Sequence, residues 1–302
     1  MTTAVPIRIG TRGSALALWQ AEHVRARLRG VGHEATLQVI VTTGDRVQDR
    51  RLDTAGGKGA FLKEIEEAML AGEVDLAVHS LKDVPVTLPA GLRLVAMLER
   101  ADPRDALLTA DGRGLRALRH GARVGTTSLR RRALLKAARP DLVFEDLRGN
   151  VDTRIRKLRE GLYDGVVLAM AGLDRLGRSA EVAEVLDPGA FLPAPGQGAI
   201  AVECREDDDE VAAIALRMHH PPTAQAVTAE RSLLSALGGG CNVPLGAHAV
   251  AEDGGLRLRA FVAERAGGRI LRGEGQGTDP VALGRSVAGE LIARGGRELM
   301  QG

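Results

Sequence analysis

Apolar residues along the 302-residue chain switch repeatedly between two periods. Ile7–Gly10 predicts a short strand. Ala17, Ala21, Val24 and Leu28 then recur at helical spacing behind Ser14, a side chain suited to capping a helix N-terminus. Ala35–Val41 predicts a second strand, and the polar, glycine-rich stretch from Thr43 to Gly59 predicts a mobile loop. Leu62, Ile65 and Met69 mark one face of a further helix. Val74–Val78 is a short apolar strand running directly into His79-Ser80-Leu81-Lys82-Asp83-Val84-Pro85. Strand and helix alternating in this way predict an α/β layer structure.

The pattern restarts near residue 104. Arg123–Gly125 predicts a strand, Ser128–Ala138 a helix closed by Pro140, and Val143–Leu147 another strand. A helix from Val151 to about Gly161 precedes the apolar strand Val166–Leu168. Two α/β units in tandem follow, with the chain crossing at Glu99–Pro103. A second break falls at Pro193–Gly198, after which Ala199–Glu203 is a strand placed to return to the first unit. Beyond Pro221 a helix, Thr223–Leu237, runs into Gly238-Gly239-Gly240-Cys241. Turn signals at Asp253-Gly254-Gly255 and Gly267-Gly268 then predict antiparallel strands, before a last amphipathic helix at about Pro280–Arg294. The expected domains are 1–99 with 199–217, then 100–198, then a small α+β domain over 218–302.

Composition narrows the function classes. Hydrophobic residues at 44% and charged residues at 26% describe an ordinary globular chain, and no apolar run is long enough to span a membrane. The start, MTTAVPIRIGTRGS, shows no secretory signal, so the expected compartment is the cytoplasm. Two cysteines, Cys204 and Cys241, cannot form a disulfide framework. No CxxC pair is present, and His79, His219, His220 and His248 have no metal-site spacing, so no metal is expected. Net charge is only +2, yet residues 112–160 carry 14 Lys or Arg against 5 Asp or Glu, a confined positive field that points to an anionic ligand. Six aromatic residues are poor equipment for stacking on nucleic-acid bases.

Candidate chemistry collects at strand ends. In open α/β sheets ligands bind where strand C-termini and helix N-termini converge. Asp83 there is a candidate general acid or base, with Lys82 beside it to hold an anion. Gly125-Thr126-Thr127-Ser128-Leu129-Arg130-Arg131 joins three hydroxyls, free first-turn N–H groups and forked arginine donors into an anion cradle. The alternative is a solvated charged face, where exposed pairs contribute only about 0–1 kcal/mol. Arg148-Gly149-Asn150 with Arg154, and Arg12 with Gly13-Ser14, repeat the strand–glycine–helix pattern. Gly56-Gly57-Lys58-Gly59 fails the P-loop pattern and fits a loop closing over a ligand. Cys241 in its glycine turn is reachable, whereas Cys204 ends an apolar strand and fits a packing role.

These motifs together resemble the porphobilinogen deaminase (hydroxymethylbilane synthase) family. The matching pieces are Ile9–Ser14 with Leu16–Gln20, Gly56–Phe61, His79–Pro85, Gly125–Arg131, Leu147–Val151, Gly172–Leu176, Pro195–Gly198 and Gly240–Pro244, in the family's order across residues 9–246. The resemblance implies two domains like the lobes of type II periplasmic solute-binding proteins and a small third domain. It implies that Cys241 forms a thioether to a dipyrromethane cofactor, which primes head-to-tail addition of four porphobilinogen molecules. Each loses ammonia and is attacked by the terminal pyrrole of the growing oligopyrrole, which water finally releases. Asp83 would protonate the departing amine and stabilise the cationic intermediate. Ser14, Ser80, Lys82, Asp83, Thr126, Thr127, Ser128, Arg130 and Arg131 would hold the cofactor. Arg12, Arg148, Arg154, Arg175 and Gln197 would hold substrate, and Lys58 and Phe61 would belong to a covering loop. The expected state is a monomer with no nucleic-acid or membrane partner.

Three other readings compete. A two-lobed protein that binds a polycarboxylate without catalysis would share the architecture. A nucleic-acid binder would use the basic middle segment and show steep salt dependence. A Schiff-base enzyme would use Lys82 as nucleophile.

Overall fold

The computed structural model describes residues 5–43, 62–240, 243–265 and 267–301. The loop expected at 43–59 lies, apart from Thr43, outside the described residues. In chain order come β1 Ile7–Thr11, α1 Ala15–Gly30, β2 Ala35–Val39, α2 Lys63–Leu70, β3 Leu76–Ser80 and β4 Leu92–Met97. Next are β5 Asp105–Thr109, β6 Arg123–Gly125, α3 Leu129–Ala138, β7 Val143–Glu145, α4 Val151–Arg159, β8 Gly165–Ala169, α5 Met170–Arg175 and β9 Glu184–Val185. Then follow β10 Ile200–Arg205, α6 Asp209–Leu216, α7 Pro221–Ala236, β11 Leu245–Glu252, β12 Gly255–Ala263, β13 Ile270–Gly277, α8 Pro280–Ala293 and α9 Gly296–Gln301. Polar caps start the helices where the sequence supplies them: Ser14, Ser128, Asn150, Asp208 and Asp279 each accept a first-turn N–H.

The chain divides into two units, Met1–Arg100 with Ala199–Ala224 and Ala101–Gly198 with Gln225–Gly302. The first holds one five-stranded sheet in the order β2-β1-β3-β10-β4. β1 runs parallel to β2 and β3, whereas β10 is antiparallel to both β3 and β4. Because successive strand side chains face opposite ways, each face buries its own helix. Ala21, Val24 and Leu28 of α1 pack with Ile9, Leu76, Val78 and Val202. On the other face Ile65, Ala68 and Met69 of α2 pack with Val74 and Ala77.

The second unit holds two sheets, ordered β7-β6-β8-β5-β9 and β11-β12-β13. In the larger one β5 is antiparallel to β8 and β9, while β6 runs parallel to β7 and β8. Matching β7, β6 and β8 to β2, β1 and β3 makes the two five-stranded sheets equivalent. In each, the strand fourth in order runs antiparallel and directly follows a stretch that passes from one sheet to the other. The two units thus repeat one mixed α/β sheet order. The three-stranded antiparallel sheet completes an α+β portion, its inner face covered by α7 and α8 through Leu233, Leu258, Val287 and Leu291.

Phe261 and Ala263 of β12 belong to the same core as Leu107, Val124 and Leu135, so the small sheet and its larger neighbour share apolar contacts. Glycine makes that approach possible. A Cβ on Gly246 would stand 2.5 Å from the Phe261 ring and 2.8 Å from the Leu192 carbonyl oxygen. Gly246→Ala is therefore expected to destabilise the protein by about 1–3 kcal/mol through overpacking. Gly289→Ala, on α8 with no atom within 4 Å of the new Cβ, serves as the neutral or stabilising control. Urea unfolding midpoints of the two variants check this.

Candidate active site

In the first unit, β3 delivers its chain end into a single 3-10 turn, Leu81–Asp83. Three features hold the turn. The Leu81 N–H donates to the Ala199 carbonyl at 3.0 Å, the Val84 N–H donates to the Leu81 carbonyl at 3.1 Å, and Leu81 and Val84 are both buried. Two apolar anchors on either side leave Lys82 and Asp83 as the half-buried pair at the strand end. Ser80 is fixed from α1, since the buried Gln20 side chain donates to its hydroxyl at 2.8 Å. Ser14 caps α1 by accepting the Ala17 N–H at 3.3 Å, and the half-buried Arg12 precedes it. No acidic residue occupies the first turn of α1, so the positive end of its dipole is not offset there.

The second unit repeats this device twice. Ser128 caps α3 by accepting the Arg131 N–H, and the buried Thr126 hydroxyl accepts the Ser128 N–H at 3.1 Å. The first turn of α3 again lacks an acid. Asn150 caps α4 by accepting the Thr153 N–H at 2.9 Å, and Arg154 Nε donates to the Gly149 carbonyl at 2.8 Å. Gly149 sits at φ +110°, a backbone state open to glycine, which lets this strand end turn sharply into the helix. Arg148 and Thr127 are half-buried beside these starts.

Arg130 and Arg131 are not a solvated charged face. Both are buried, and both converge on Asp105 of β5, itself 1% exposed. Arg130 Nη1 donates to Asp105 Oδ2 at 2.6 Å and to the Leu192 carbonyl at 2.8 Å. Arg131 donates to Asp105 Oδ1 through Nη2 at 2.8 Å and through Nε at 3.2 Å, and to the Val167 carbonyl at 2.7 Å. Gln197 closes the group, its Nε2 donating to Asp105 Oδ1 at 3.0 Å and to the Pro103 carbonyl at 2.7 Å. Burial alone would push the Asp105 carboxyl up. The charges and hydrogen bonds of the two arginines win and hold it well below the usual carboxylate range.

Two guanidinium groups against one carboxylate leave an excess positive charge in a buried place. Burial accordingly pulls Arg130 down, and it pulls Arg175, whose Nη2 donates to the Gly198 carbonyl at 2.6 Å, down to about 10 against the opposing charge of Asp174. Buried cations in excess favour an anionic ligand, because a carboxylate there would stabilise the charged arginines. The structure thus gathers Arg130, Arg131 and Gln197 into one network and sets Thr126, Thr127 and Ser128 at the adjoining helix start. It gathers Ser14, Ser80, Lys82 and Asp83 separately in the first unit.

Lys58, Phe61 and Cys241 lie outside the described residues. Asp105 is the functional residue that sequence reasoning missed. Its signal was an acid opening the otherwise apolar strand Asp105-Ala106-Leu107-Leu108-Thr109, every residue of which is buried. Cys204 is buried and free, with burial raising its thiol, as a packing cysteine should be. Among the described residues, no cluster of three or more His, Cys, Asp or Glu side chains could hold a metal, and no helix is long and apolar enough to cross a membrane.

Asp105→Asn removes the partner of two buried cations and is expected to cost about 3–5 kcal/mol. Because the native Asp105 carboxyl is depressed, its stabilisation is present above the unfolded carboxylate value of about 3.9 and is lost as pH falls through the lower native value. Urea unfolding at several acidic pH values should therefore show a decline in the native protein whose Asp105 part is missing from Asp105→Asn.

Comparison with known proteins bears on this geometry. Residues 7–213 match the family model described as porphobilinogen deaminase, dipyromethane cofactor binding domain, and residues 224–293 match the porphobilinogen deaminase C-terminal domain. A porphobilinogen deaminase of Syntrophobacter fumaroxidans is 50% identical over 299 residues, covering 98% of this chain and 97% of its own. One from Roseiflexus is 51% identical over 298 residues, covering 97% of this chain and 98% of its own. Among solved structures, a periplasmic substrate-binding protein of an ABC transporter from Coxiella burnetii aligns at 16% identity with a TM-score of 0.44, covering 74% of this chain and 96% of its own. On the family match over both domains and the near full-length identity to its members, the chain belongs to the porphobilinogen deaminase family.

Proposed function

We propose that this chain condenses four porphobilinogen molecules head to tail, with loss of ammonia, into the linear tetrapyrrole hydroxymethylbilane. The observation that carries this reading is the match of residues 7–213 to a dipyrromethane cofactor binding domain. The geometry supports it, because that stretch contains the buried arginine excess and the capped helix starts that a polycarboxylate demands. When bound through a thioether to Cys241, dipyrromethane supplies the free pyrrole end from which the chain grows.

The protein's own groups then divide the work. Arg130, Arg131, Thr126, Thr127 and Ser128 hold carboxylates of the cofactor, the first two already set by Asp105 before any ligand arrives. Ser14, Ser80 and Lys82 are further donors to the cofactor. Arg12, Arg148, Arg154 and Arg175 take the carboxylates of incoming substrate, and Gln197 acts chiefly by bracing Asp105. Each hydrogen bond to a charged group is worth about 1.5–3 kcal/mol, so a few such contacts restrain a flexible oligomer. Asp83 acts on the reacting centre: as an acid it protonates the leaving amine, and as a carboxylate it stabilises the positive charge left on the ring nitrogen. Lys58 and Phe61 serve the covering loop, and the enzyme works as a cytoplasmic monomer.

Two measurements test this. The intact mass of denatured protein from a host that makes porphobilinogen should exceed the chain mass by a dipyrromethane unit, and the increment should vanish in Cys241→Ser; an unmodified native mass contradicts the reading. Asp83→Asn should keep the increment while turnover falls by about 10²-fold or more. Undiminished turnover would remove Asp83 from the chemistry, and an absence of turnover in the native protein would favour the binder without catalysis.

A further inference from the structure

Beside the Ser80–Asp83 turn lies a buried polar cluster that the proposed chemistry does not use. His79, the penultimate residue of β3, and Glu203 of β10 face each other across the antiparallel pair, where Ala201 is the register partner of His79 and Glu203 that of Ala77. Nε2 of His79 is 2.9 Å from Glu203 Oε2, and the two side chains are 6% and 0% exposed. The other Glu203 oxygen, Oε1, is buried and takes no hydrogen bond from any described N–H or O–H donor. Orphaned buried acceptors are rare, and leaving one unmet costs about 1–3 kcal/mol, more for a charged group.

A neighbouring carboxyl on α2 can supply a donor when it carries a proton. Glu66 is buried on α2, which packs over this face of the sheet. Burial first, and then the charge of Glu203, push its carboxyl up, with His79 opposing. The other charged groups on α2, β1 and β10 engage partners elsewhere. Arg8 of β1 and Arg205 of β10 both engage Asp75, Arg205 also holds Asp208, and on α2 itself Glu67 adds to the upward push while Lys63 pairs with Glu67 and Glu64 binds Thr43.

We propose that Glu66, His79 and Glu203 form a proton-holding cluster in which Glu66, as the neutral acid, donates to Glu203 Oε1, and Glu203 in turn fixes His79 and so positions the turn that carries Asp83. A proton on Glu66 removes one of the two carboxylate charges that the cluster would otherwise place in an apolar layer. His79 is thereby a positioning residue: its side chain ties the last hydrogen-bonded stretch of β3 to β10, one residue before Ser80. The positioning half of this inference rests on the proposed function, whereas the proton-holding half does not.

Infrared difference spectra of the native protein against Glu66→Gln, recorded as pH is raised from the unfolded carboxylate value, should show the carbonyl band of one protonated carboxylic acid that the variant lacks. Since the folded-state carboxyl is raised, native stability is full below the unfolded carboxylate value and declines as pH rises through the folded one. Glu66→Gln, which keeps a neutral donor, should remain level over that range, while Glu66→Ala should be less stable throughout. An unchanged acid band, or parallel stability curves for native protein and Glu66→Gln, overturns the proton-holding cluster whatever the activity. For positioning, Glu203→Gln and His79→Ala should lower kcat about tenfold with KM unchanged, and Glu66→Gln should restore the kcat lost in Glu66→Ala. Native kcat in folded His79→Ala overturns it, leaving the Asp83→Asn result to judge the functional reading on its own.

Discussion

A carboxylate withdrawn from water must be met by donors on every side or it will not stay ionised. Asp105 is such a carboxylate, and much of the second unit is arranged to satisfy it. Strand β5 brings it in, α3 supplies two guanidinium groups from consecutive residues, and the turn at Pro195–Gly198 supplies Gln197. Consecutive helical side chains diverge by roughly 100°, so both arginines can meet one carboxylate only if it sits near the helix start, where Arg130 and Arg131 leave the first turn. The network thereby locks the register of α3 against the sheet. It also fixes the arginine geometry, since each guanidinium is held by both a carboxylate and a backbone carbonyl.

The same constraint separates arginines that fold the protein from those that serve a ligand. The positive run at 112–160 is answered partly by acids within that window and partly by acids beyond it. Arg119 pairs with Asp164, Arg139 with Asp141, Arg132 with Asp146 and Arg159 with Glu181. Counting charge along the chain therefore overstated the field, because partners such as Asp105, Asp164 and Glu181 are brought in by folding. What survives is a local excess at the start of α3, where burial multiplies its effect.

Legibility followed the same division between local and long-range causes. Helices with a polar cap and an apolar stripe, such as α1, α3 and α8, announce themselves in a single window of sequence. So do strands that end in motif residues, such as β3. β5 does not, because a strand buried on both faces shows no alternation. α6 is eight residues with little but Asp208 to mark its start, and β4 and β9 were likewise not anticipated. At the site, Ser14, Ser128 and the Leu81–Asp83 turn were visible because each is defined by its immediate neighbours. Asp105, Glu66 and Glu203 were not, since an acid in an apolar stretch is explained only by a partner far along the chain. The burial of Arg130 and Arg131 was hidden for the same reason: a basic run looks identical whether water or an aspartate lies opposite.

The placement of β10 has a consequence for how the polypeptide matures on the ribosome. Among the described residues β4 hydrogen-bonds to no strand of its sheet other than β10, and β10 is encoded only after the entire β5–β9 segment. During synthesis, then, β2, β1 and β3 emerge as a partial layer with an open edge, and β4 waits unpaired while the next sheet is being translated. Such an edge invites wrong pairing until it is filled. The late arrival of Ile200–Arg205 makes sealing that gap a long-range event, and long-range strand insertion is slow. Nascent chains stalled before residue 200 would carry an exposed template for association that full-length chains have hidden.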